Sequence, residues 1–152
     1  MAGHSPKLQI DATDLAVTIL VTSWHPEITD ALLAGAERAL KTAGNDVYTI
    51  VRVPGAFELP LAAQWACEEN VDAVIALGVV IQGDTPHFEY VCDAATSGLT
   101  KVQLDYGIPI GFGLLTVDNE KQALDRAGLP ESKEDKGAEA VEAAITMAML
   151  RS

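Results

Sequence analysis

The apolar stretch Ala73–Ile81 carries no charge and is rich in valine and isoleucine. A run of this kind is typical of a strand that is buried on both faces, as in a parallel sheet covered by helices. The run ends at residues 82–86, and apolar residues then recur at steps of three and four, at 88, 91, 95 and 99. The pattern therefore predicts a strand, a glycine-containing turn and a helix over about residues 87–104.

The same two patterns recur along the rest of the chain. Runs rich in β-branched and other apolar residues predict three further strands, at residues 15–21, 46–53 and 109–116. Apolar residues at helical spacing predict four further helices, at about residues 26–44, 57–70, 119–127 and 137–150. Strands that alternate with helices indicate an α/β fold with a parallel sheet and right-handed crossovers.

Two segments lack a clear period. Residues 1–13 have a short polar start, so we expect an N-terminal arm followed by a single domain over residues 14–152. Residues 128–136, with the sequence GLPESKEDK, are the one stretch with the composition of a linker. A chain of 152 residues is long enough for one domain with a substantial core.

Four loops of this predicted fold follow the carboxyl ends of strands, where α/β proteins bind their ligands. They carry residues suited to a polar, partly aromatic ligand, and they comprise residues 23–25, 55–58, 83–87 and 116–118. His87 is placed where the central strand leads into a helix, and free backbone N–H groups gather at such a helix start.

The charge balance narrows the range of partners. The net charge is −12 and the isoelectric point about 4.4, which argues against nucleic acid or an anionic membrane surface as a main partner. Part of this charge lies at residues 131–135, so a solvated acidic face is an alternative explanation. No segment is long enough to span a membrane, and the first residues do not have the pattern of a signal peptide.

Cysteine and histidine are too sparse to suggest disulfide or metal chemistry. Cys67 and Cys92 are most simply buried thiols in a reducing compartment, so we expect the protein in the cytoplasm. Three scattered histidines do not form a metal-ligand cluster, and the chain carries no dinucleotide-binding fingerprint. We therefore expect no metal site.

The last predicted helix is apolar over a wide arc that comprises Val141, Ala144, Ile145, Ala148 and Met149. A helix on the surface of a domain needs only one apolar stripe. The additional apolar area favours either a subunit contact or a broad core face, and the pattern alone does not decide between them.

Five motifs, in unbroken order over residues 15–150, resemble those of the lumazine synthase family. They are SWHPEIT at 23–29, VPGAFELP at 53–60, ALGVVIQGDTPHFEYVC at 76–92, GLLTVDNEKQALDRAG at 113–128 and DKGAEA at 135–140. The central GVVI-x-G-x-T-x-H pattern is highly specific. The chain resembles actinobacterial members most, because of Trp24 and the DRAGLPES-x-EDKG segment.

The resemblance implies a function and a fold. Lumazine synthases condense 5-amino-6-ribitylamino-uracil with 3,4-dihydroxy-2-butanone 4-phosphate in riboflavin biosynthesis. The reaction yields 6,7-dimethyl-8-ribityllumazine, releases phosphate and water, and uses no metal or organic cofactor. The family fold is a flavodoxin-like three-layer α/β/α sandwich with a four-stranded parallel sheet, and its subunits form ring-shaped homopentamers with shared sites.

The resemblance also implies roles for residues around the first substrate. Trp24 matches the aromatic residue that stacks on the pyrimidinedione ring. Ala56 and Phe57 match backbone contacts, and Glu58 matches the acceptor for the ribityl hydroxyls. The end of the central strand, at Val79, Val80 and Ile81, matches the family's main-chain contacts to the heterocycle and the ribityl chain.

A second group matches the residues that bind the phosphate of the other substrate. Gly83, Asp84 and Thr85 match the phosphate loop, although Asp84 places a negative charge where an anion is expected. Arg126 matches the phosphate anchor, since a guanidinium can bind two phosphate oxygens. Lys136 matches a lysine near the phosphate.

Two further residues match family positions of other kinds. His87 matches the proton shuttle, since imine formation, phosphate loss and ring closure all move protons and imidazole titrates near neutral pH. Phe112 matches a residue that reaches the site from the neighbouring subunit. Taken alone, His87, Glu58 and Arg126 each have a structural alternative: a helix-start histidine, an acid favourable to the helix dipole, and a solvated arginine. We assign no role to His25 or His4.

Two other functions remain open. A flavin- or lumazine-binding protein without turnover would keep the same pocket, and Asp84 is the residue that favours it. A protein whose main role is to build a shell would share the same fold.

The resemblance also ties the size of the assembly to the link between the last two helices. Family members occur as pentamers or as icosahedral shells built from pentamers, and a short link with well-placed glycines is associated with the shell. The link here, residues 129–135, is long, has no internal glycine, includes Pro130 and carries three acidic residues. Because proline restricts the backbone and like charges repel, the sequence predicts a free homopentamer.

Overall fold

The computed structural model describes residues 2–151, so Met1 of the predicted arm and Ser152 of the predicted domain lie outside the described residues. The strands are β1 (Val17–Thr22), β2 (Thr49–Val53), β3 (Ala73–Ile81) and β4 (Ile110–Val117). The helices are α1 (Pro26–Thr42), α2 (Leu59–Glu68), α3 (His87–Tyr106), α4 (Glu120–Leu124) and α5 (Lys136–Arg151), with a short 3-10 helix at Ala56–Glu58.

All four strands run parallel, in the spatial order β2-β1-β3-β4. The predicted central strand Ala73–Ile81 is confirmed with the same bounds, and it pairs with β1 on one side and β4 on the other. A strand in this position is covered on both faces, which explains why its sequence is continuously apolar and does not alternate.

Successive residues of the strands point into two separate cores. Ile19, Ile75 and Leu77 lie in the core under α1 and α5. Leu20 and Val74 lie in the core under α2 and α3. Since side chains alternate along a strand, the sheet separates two helical layers, and the three-layer α/β/α sandwich with four parallel strands is confirmed.

Two glycines let α5 lie close to its neighbours. A Cβ atom at Gly137 would lie 2.1 Å from the carbonyl oxygen of Leu32 on α1, and one at Gly111 would lie 2.3 Å from the carbonyl oxygen of Ala140 on α5. Both contacts are to backbone, which has little room to give way. The absence of side chains at these positions therefore sets how near α5 comes to α1 and β4.

The wide apolar arc of α5 belongs mostly to the core of the chain itself. Val141, Ala144, Ile145 and Ala148 are buried, whereas Met149 is 40% exposed. Of the two explanations that the sequence left open, a broad core face therefore accounts for four of the five residues.

The helix predicted over about 119–127 is shorter, Glu120–Leu124, and two other predicted segments differ from the structure in a way that side chains explain. The strand predicted over 46–53 begins only at Thr49, because Asn45 holds the preceding turn with side-chain hydrogen bonds to the carbonyls of Ala12 and Leu15, at 3.0 and 2.8 Å. The linker predicted over 128–136 is closed by hydrogen bonds, which run from Gly128 N to the Glu134 carbonyl and from Glu134 N to the Asp125 carbonyl, both at 3.0 Å.

Burial raises the pKa of both thiols, on Cys67 and Cys92, and neither forms a disulfide. None of the helices formed by residues 2–151 combines the length and the apolar character needed to cross a lipid bilayer. Within those residues, no group of three or more His, Cys, Asp or Glu side chains is arranged to hold a metal ion.

Candidate functional site

A cavity of about 560 Å³ opens beyond the carboxyl ends of β2, β1 and β3. Its wall is formed by the loops after β1 and β2, the end of β3 and the first turns of α3. The lining residues are Trp24, His25, Gly55, Ala56, Phe57, Glu58, Val79, Val80, Ile81, His87, Tyr90 and Val91. Its volume falls within the range of pockets that hold a single small ligand.

The end of β3 projects beyond β1. The ladder between these strands stops at Val21 and Leu77, while the ladder between β3 and β4 continues to Ile81 and Val117. Over Val79–Ile81, the edge of β3 that faces β1 therefore borders the cavity without a pairing strand. Backbone N–H and C=O groups along such an edge can hydrogen-bond a flat heterocycle as they would a neighbouring strand.

The loops after β1 and β2 are joined so that an aromatic ring lies beside a carboxylate. The Ser23 hydroxyl donates to the Val53 carbonyl at 2.9 Å, which holds the two loops together. A Cβ atom at Gly55 would lie 3.2 Å from the Trp24 indole and 3.5 Å from Oε1 of Glu58. Glycine at this position therefore leaves space for the indole to lie against the chain, next to an acceptor for hydroxyl groups.

The start of α3 is open to solvent. Residues 82–87 are all exposed, and a Cβ atom at Gly83 would meet nothing within 4 Å. The backbone N–H of His87 lies 3.4 Å from the Thr85 hydroxyl. The Asp84 side chain is exposed, so its charge does not occupy an enclosed anion site. This arrangement leaves the loop accessible to a ligand at the mouth of the cavity.

The other predicted residues do not line this cavity within the chain: neither Gly83, Asp84 and Thr85, which precede the lining residue His87, nor Phe112, Arg126 and Lys136. Phe112 is 48% exposed on the edge strand β4, where it pairs with Ala76 of β3. Arg126, which follows α4, and Lys136, the first residue of α5, lie together, and the carboxylate of Glu134 bridges them at 3.4 and 3.1 Å. The cavity thus collects the residues matched to the first substrate and His87, whereas the two matched cations form a separate cluster.

Four lining residues were not predicted as site residues: Tyr90 and Val91, and also His25 and Gly55, although the latter two lie in loops predicted at the ligand-binding edge. Tyr90 lies one helical turn after His87, so the helical period of α3 was a signal that could have identified it. His25 adopts a left-handed backbone conformation, with φ of 55°, and its ring centroid lies 6.3 Å from that of Trp24. No local sequence pattern predicts this backbone conformation for a histidine. His25 reaches the cavity because it lies just after the end of β1.

Three relatives with similar sequences share their name with the family model that matches this chain. A family model described as 6,7-dimethyl-8-ribityllumazine synthase matches residues 14–152. A protein of that name from Clavibacter sepedonicus is 60% identical over 154 residues, which cover 99% of this chain and 96% of the relative. Another, from Kineococcus radiotolerans, is 60% identical over 153 residues, with 99% and 95% coverage. A third, from Leifsonia xyli, is 59% identical over 141 residues, with 93% and 89% coverage.

The matched region contains the whole sheet, all five helices and every residue that lines the cavity. The identity is far above the level at which a fold alone is shared, and it extends over nearly the full length of each relative named above. The chain therefore belongs to the 6,7-dimethyl-8-ribityllumazine synthase family.

Proposed function

We propose that the cavity beyond β1, β2 and β3 is the active site of a lumazine synthase, and that the Arg126–Lys136 cluster of a second copy completes it. The enzyme joins 5-amino-6-ribitylamino-uracil to 3,4-dihydroxy-2-butanone 4-phosphate in riboflavin biosynthesis. The amine forms an imine with the ketone and releases water, phosphate is eliminated, the ring closes and a second water leaves. The observation that carries the proposal is the convergence of an indole, a carboxylate, an open strand edge and a histidine on one cavity.

Each part of the cavity suits one part of the first substrate. The Trp24 indole offers a flat face on which the pyrimidinedione ring can stack. The open edge at Val79–Ile81 offers backbone groups to the polar edge of that ring and to the ribityl chain. Glu58 accepts hydrogen bonds from ribityl hydroxyls, and the backbone of Ala56 and Phe57 closes the same side.

The second substrate enters at the start of α3. Its phosphate binds to backbone N–H groups of residues 83–85, where no side chain fills the space beside Gly83. His87 then lies between the two substrates and moves the protons that imine formation and phosphate loss require. Most of the rate comes from holding both substrates together, because the condensation needs little further activation.

A neighbouring copy supplies what this cavity lacks. The phosphate is a dianion, and Arg126 and Lys136 provide two positive charges on one short segment. Phe112 presents an exposed ring on the edge of the sheet, which can cover the heterocycle from a second subunit. Phosphate and both organic substrates are thus the ligands, no cofactor takes part, and the cytoplasm, where both thiols stay reduced, is the compartment.

Steady-state assay of lumazine formation tests this function directly. Arg126→Ala should lower kcat/KM for the butanone phosphate by roughly 10- to 100-fold, because a charged hydrogen bond to phosphate is lost. Arg151→Ala removes the same charge from the exposed end of α5 and serves as the control. Normal kinetics in Arg126→Ala would contradict the anchor. Absence of turnover by the unchanged chain, with lumazine still bound, would instead favour a binding protein without activity.

A further inference from the structure

Arg126 and Lys136 lie on the same face of a short antiparallel pairing. Ala127 and Asp135 form an antiparallel bridge, and Lys136 N donates to the Arg126 carbonyl at 3.0 Å. Because side chains alternate along paired segments, residues 126, 134 and 136 point to one side and residues 127 and 135 to the other. The contacts agree with this: Ala127 is fully buried, whereas Arg126 and Lys136 reach the same carboxylate.

That carboxylate belongs to Glu134, and it uses one oxygen for each cation. Its Oε2 lies 3.4 Å from Nε of Arg126, and its Oε1 lies 3.1 Å from Nζ of Lys136. Arg126 has a second partner, because its Nη1 donates to the Gln122 carbonyl at 2.9 Å. The two cations therefore face the same position, which the Glu134 carboxylate occupies.

The arrangement imitates a bound phosphate. Two oxygens of one anion, separated by a single central atom, bridge a guanidinium and an ammonium, as two phosphate oxygens would. Lys136 has a second carboxylate partner, because Oε1 of Glu139 lies 3.2 Å from its Nζ. With both glutamates in place, the cluster of four side chains has no net charge to offer an incoming anion.

Lys136 keeps its charge in this setting. Burial alone would lower the pKa of its ammonium group, but hydrogen bonds with Glu134 and Glu139 outweigh that effect, and the pKa lies above its ordinary value. The charge on the cluster is therefore governed by which anion faces the cations, and not by loss of the lysine proton near neutral pH.

We propose that Glu134 is a resident competitor for the phosphate position: it occupies Arg126 and Lys136 when phosphate is absent and swings away when phosphate binds. The inference rests on the proposed function, in which these two cations bind phosphate. It adds a reason for product release. Once phosphate has been eliminated, it is no longer tethered to the organic substrate, and Glu134 displaces it. The substrate ester withstands the same competition because the cavity holds the rest of the molecule.

Binding of inorganic phosphate to the full-length, assembled protein tests the proposal. Isothermal titration should be combined with inhibition of lumazine formation by inorganic phosphate. Glu134→Gln keeps the shape of the side chain and removes its charge. We expect phosphate to bind about 3- to 10-fold more tightly. In this variant phosphate no longer has to displace the ion pairs of Glu134, and each part-exposed ion pair contributes only a small factor to the binding constant. KM for the butanone phosphate should fall and kcat should not rise, because release of phosphate becomes slower.

Two variants with the same change of charge are the controls. Glu139→Gln removes the partner that contacts Lys136 alone, so phosphate binding should tighten less than in Glu134→Gln. Glu131→Gln lies in the same segment on an exposed residue and should change nothing. A general effect of net charge would move all three equally and would overturn the proposal. Glu134→Ala is a second test, because the glutamine of Glu134→Gln could still contact the cations through its amide oxygen. Glu134→Ala should also bind phosphate more tightly.

Arg126→Ala separates failure of this inference from failure of the proposed function. If Arg126→Ala binds phosphate weakly while neither variant of Glu134 binds it more tightly, Glu134 only positions the cations and the competitor role is wrong. If Arg126→Ala binds phosphate as well as the unchanged protein does, the two cations do not form the phosphate site. Both the proposed role of the cations and the competitor role of Glu134 are then wrong.

Discussion

The Trp24 indole is 66% exposed, although it is the largest side chain of the cavity. An exposed tryptophan in a loop is usually mobile or a contact for another molecule. Here the ring lies close to the chain at Gly55, and a hydrogen bond from Ser23 to the Val53 carbonyl joins its loop to the loop after β2. Because the indole is placed before any ligand arrives, little conformational entropy needs to be lost when a heterocycle stacks on it.

His87 tests how much of the rate depends on a proton shuttle. His87→Ala should slow turnover by roughly 10- to 100-fold, less than the full range for acid–base catalysis, because holding the substrates together supplies much of the acceleration. The side chain is exposed at the start of α3, so the fold should survive. Single-turnover rates with both substrates saturating give the measurement.

The control for this prediction is His4→Ala, which changes an exposed histidine of the N-terminal segment. Its turnover should equal that of the unchanged protein. If His87→Ala instead lost its helical circular dichroism signal, a structural role for this residue would explain the loss of activity.

What could be predicted at the residue level depended on how local the signal was. The strand that ends in Val79–Ile81 was predicted because a continuous apolar run and the turn after it are local features, whereas the role of these three residues came from the resemblance to the family. The loops that carry His25 and Gly55 were predicted, but neither residue was given a role, because its part in the cavity depends on where the two loops meet. The Glu134 bridge was equally invisible, since it depends on the register of a pairing between residues eight positions apart, 127 and 135.

At the scale of elements, α5 is fixed by contacts that local propensity would not favour. Gly137 is a poor helix former near the start of α5, and Gly→Ala in a helix usually adds up to about 1 kcal/mol of stability. The Cβ of an alanine would lie 2.1 Å from the Leu32 carbonyl oxygen, however, and overpacking of this kind costs about 1–3 kcal/mol or more. We therefore expect Gly137→Ala to lower the free energy of unfolding.

Urea unfolding monitored by circular dichroism gives the measurement for Gly137→Ala. Gly83→Ala is the matched control, because a Cβ there meets nothing within 4 Å and the stability should hardly change. An increase in stability of Gly137→Ala would mean that α5 can move away from α1 at little cost.

The element pattern was more accessible from sequence than the connections were. Strands and helices followed from periodicity, and β3 was located to the residue. The segment over 128–136 has the composition of a linker, yet Asp135 ties it to α1 through an ion pair with Arg38 at 3.1 Å and bonds the Ala138 N–H at 3.2 Å. Charged residues of this kind are usually solvated, and only the contact with α1 shows that they fix a turn.

At the scale of the whole molecule, the proposed site is divided between two regions of the chain. His87 and Trp24 line the cavity, whereas Arg126 and Lys136 form their own cluster outside its lining. The surface also carries large apolar side chains that a second copy could cover, including Leu61 and Trp65 on α2, 51% and 59% exposed. Both features favour an assembly in which each cavity faces the cations of a neighbour.

The structure changes one part of the argument about the size of that assembly. Of the three acidic residues in the link, Glu134 and Asp135 are paired with cations of the same chain, so repulsion between pentamers is weaker than the sequence indicated. The backbone argument becomes stronger. Pro130 lies in a turn closed by Ser132, whose hydroxyl donates to the Leu124 carbonyl and accepts from Leu129 N–H. A link held in this way is stiffer than the short links with glycines that are associated with the shell.

We therefore predict a free homopentamer with shared sites. Sedimentation at neutral pH should show a species of about five chains of 16.1 kDa each.

Co-expression of His87→Ala with Arg126→Ala tests whether sites are shared between subunits, because a cavity from one variant can then face the cations of the other. In a head-to-tail ring made from equal amounts of both chains, about a quarter of the sites combine two intact halves. Activity should thus recover to about that fraction, whereas sites built from one chain would stay impaired. A dominant particle of about sixty chains would overturn the pentamer, and a stable, fully active monomer would overturn the division of the site.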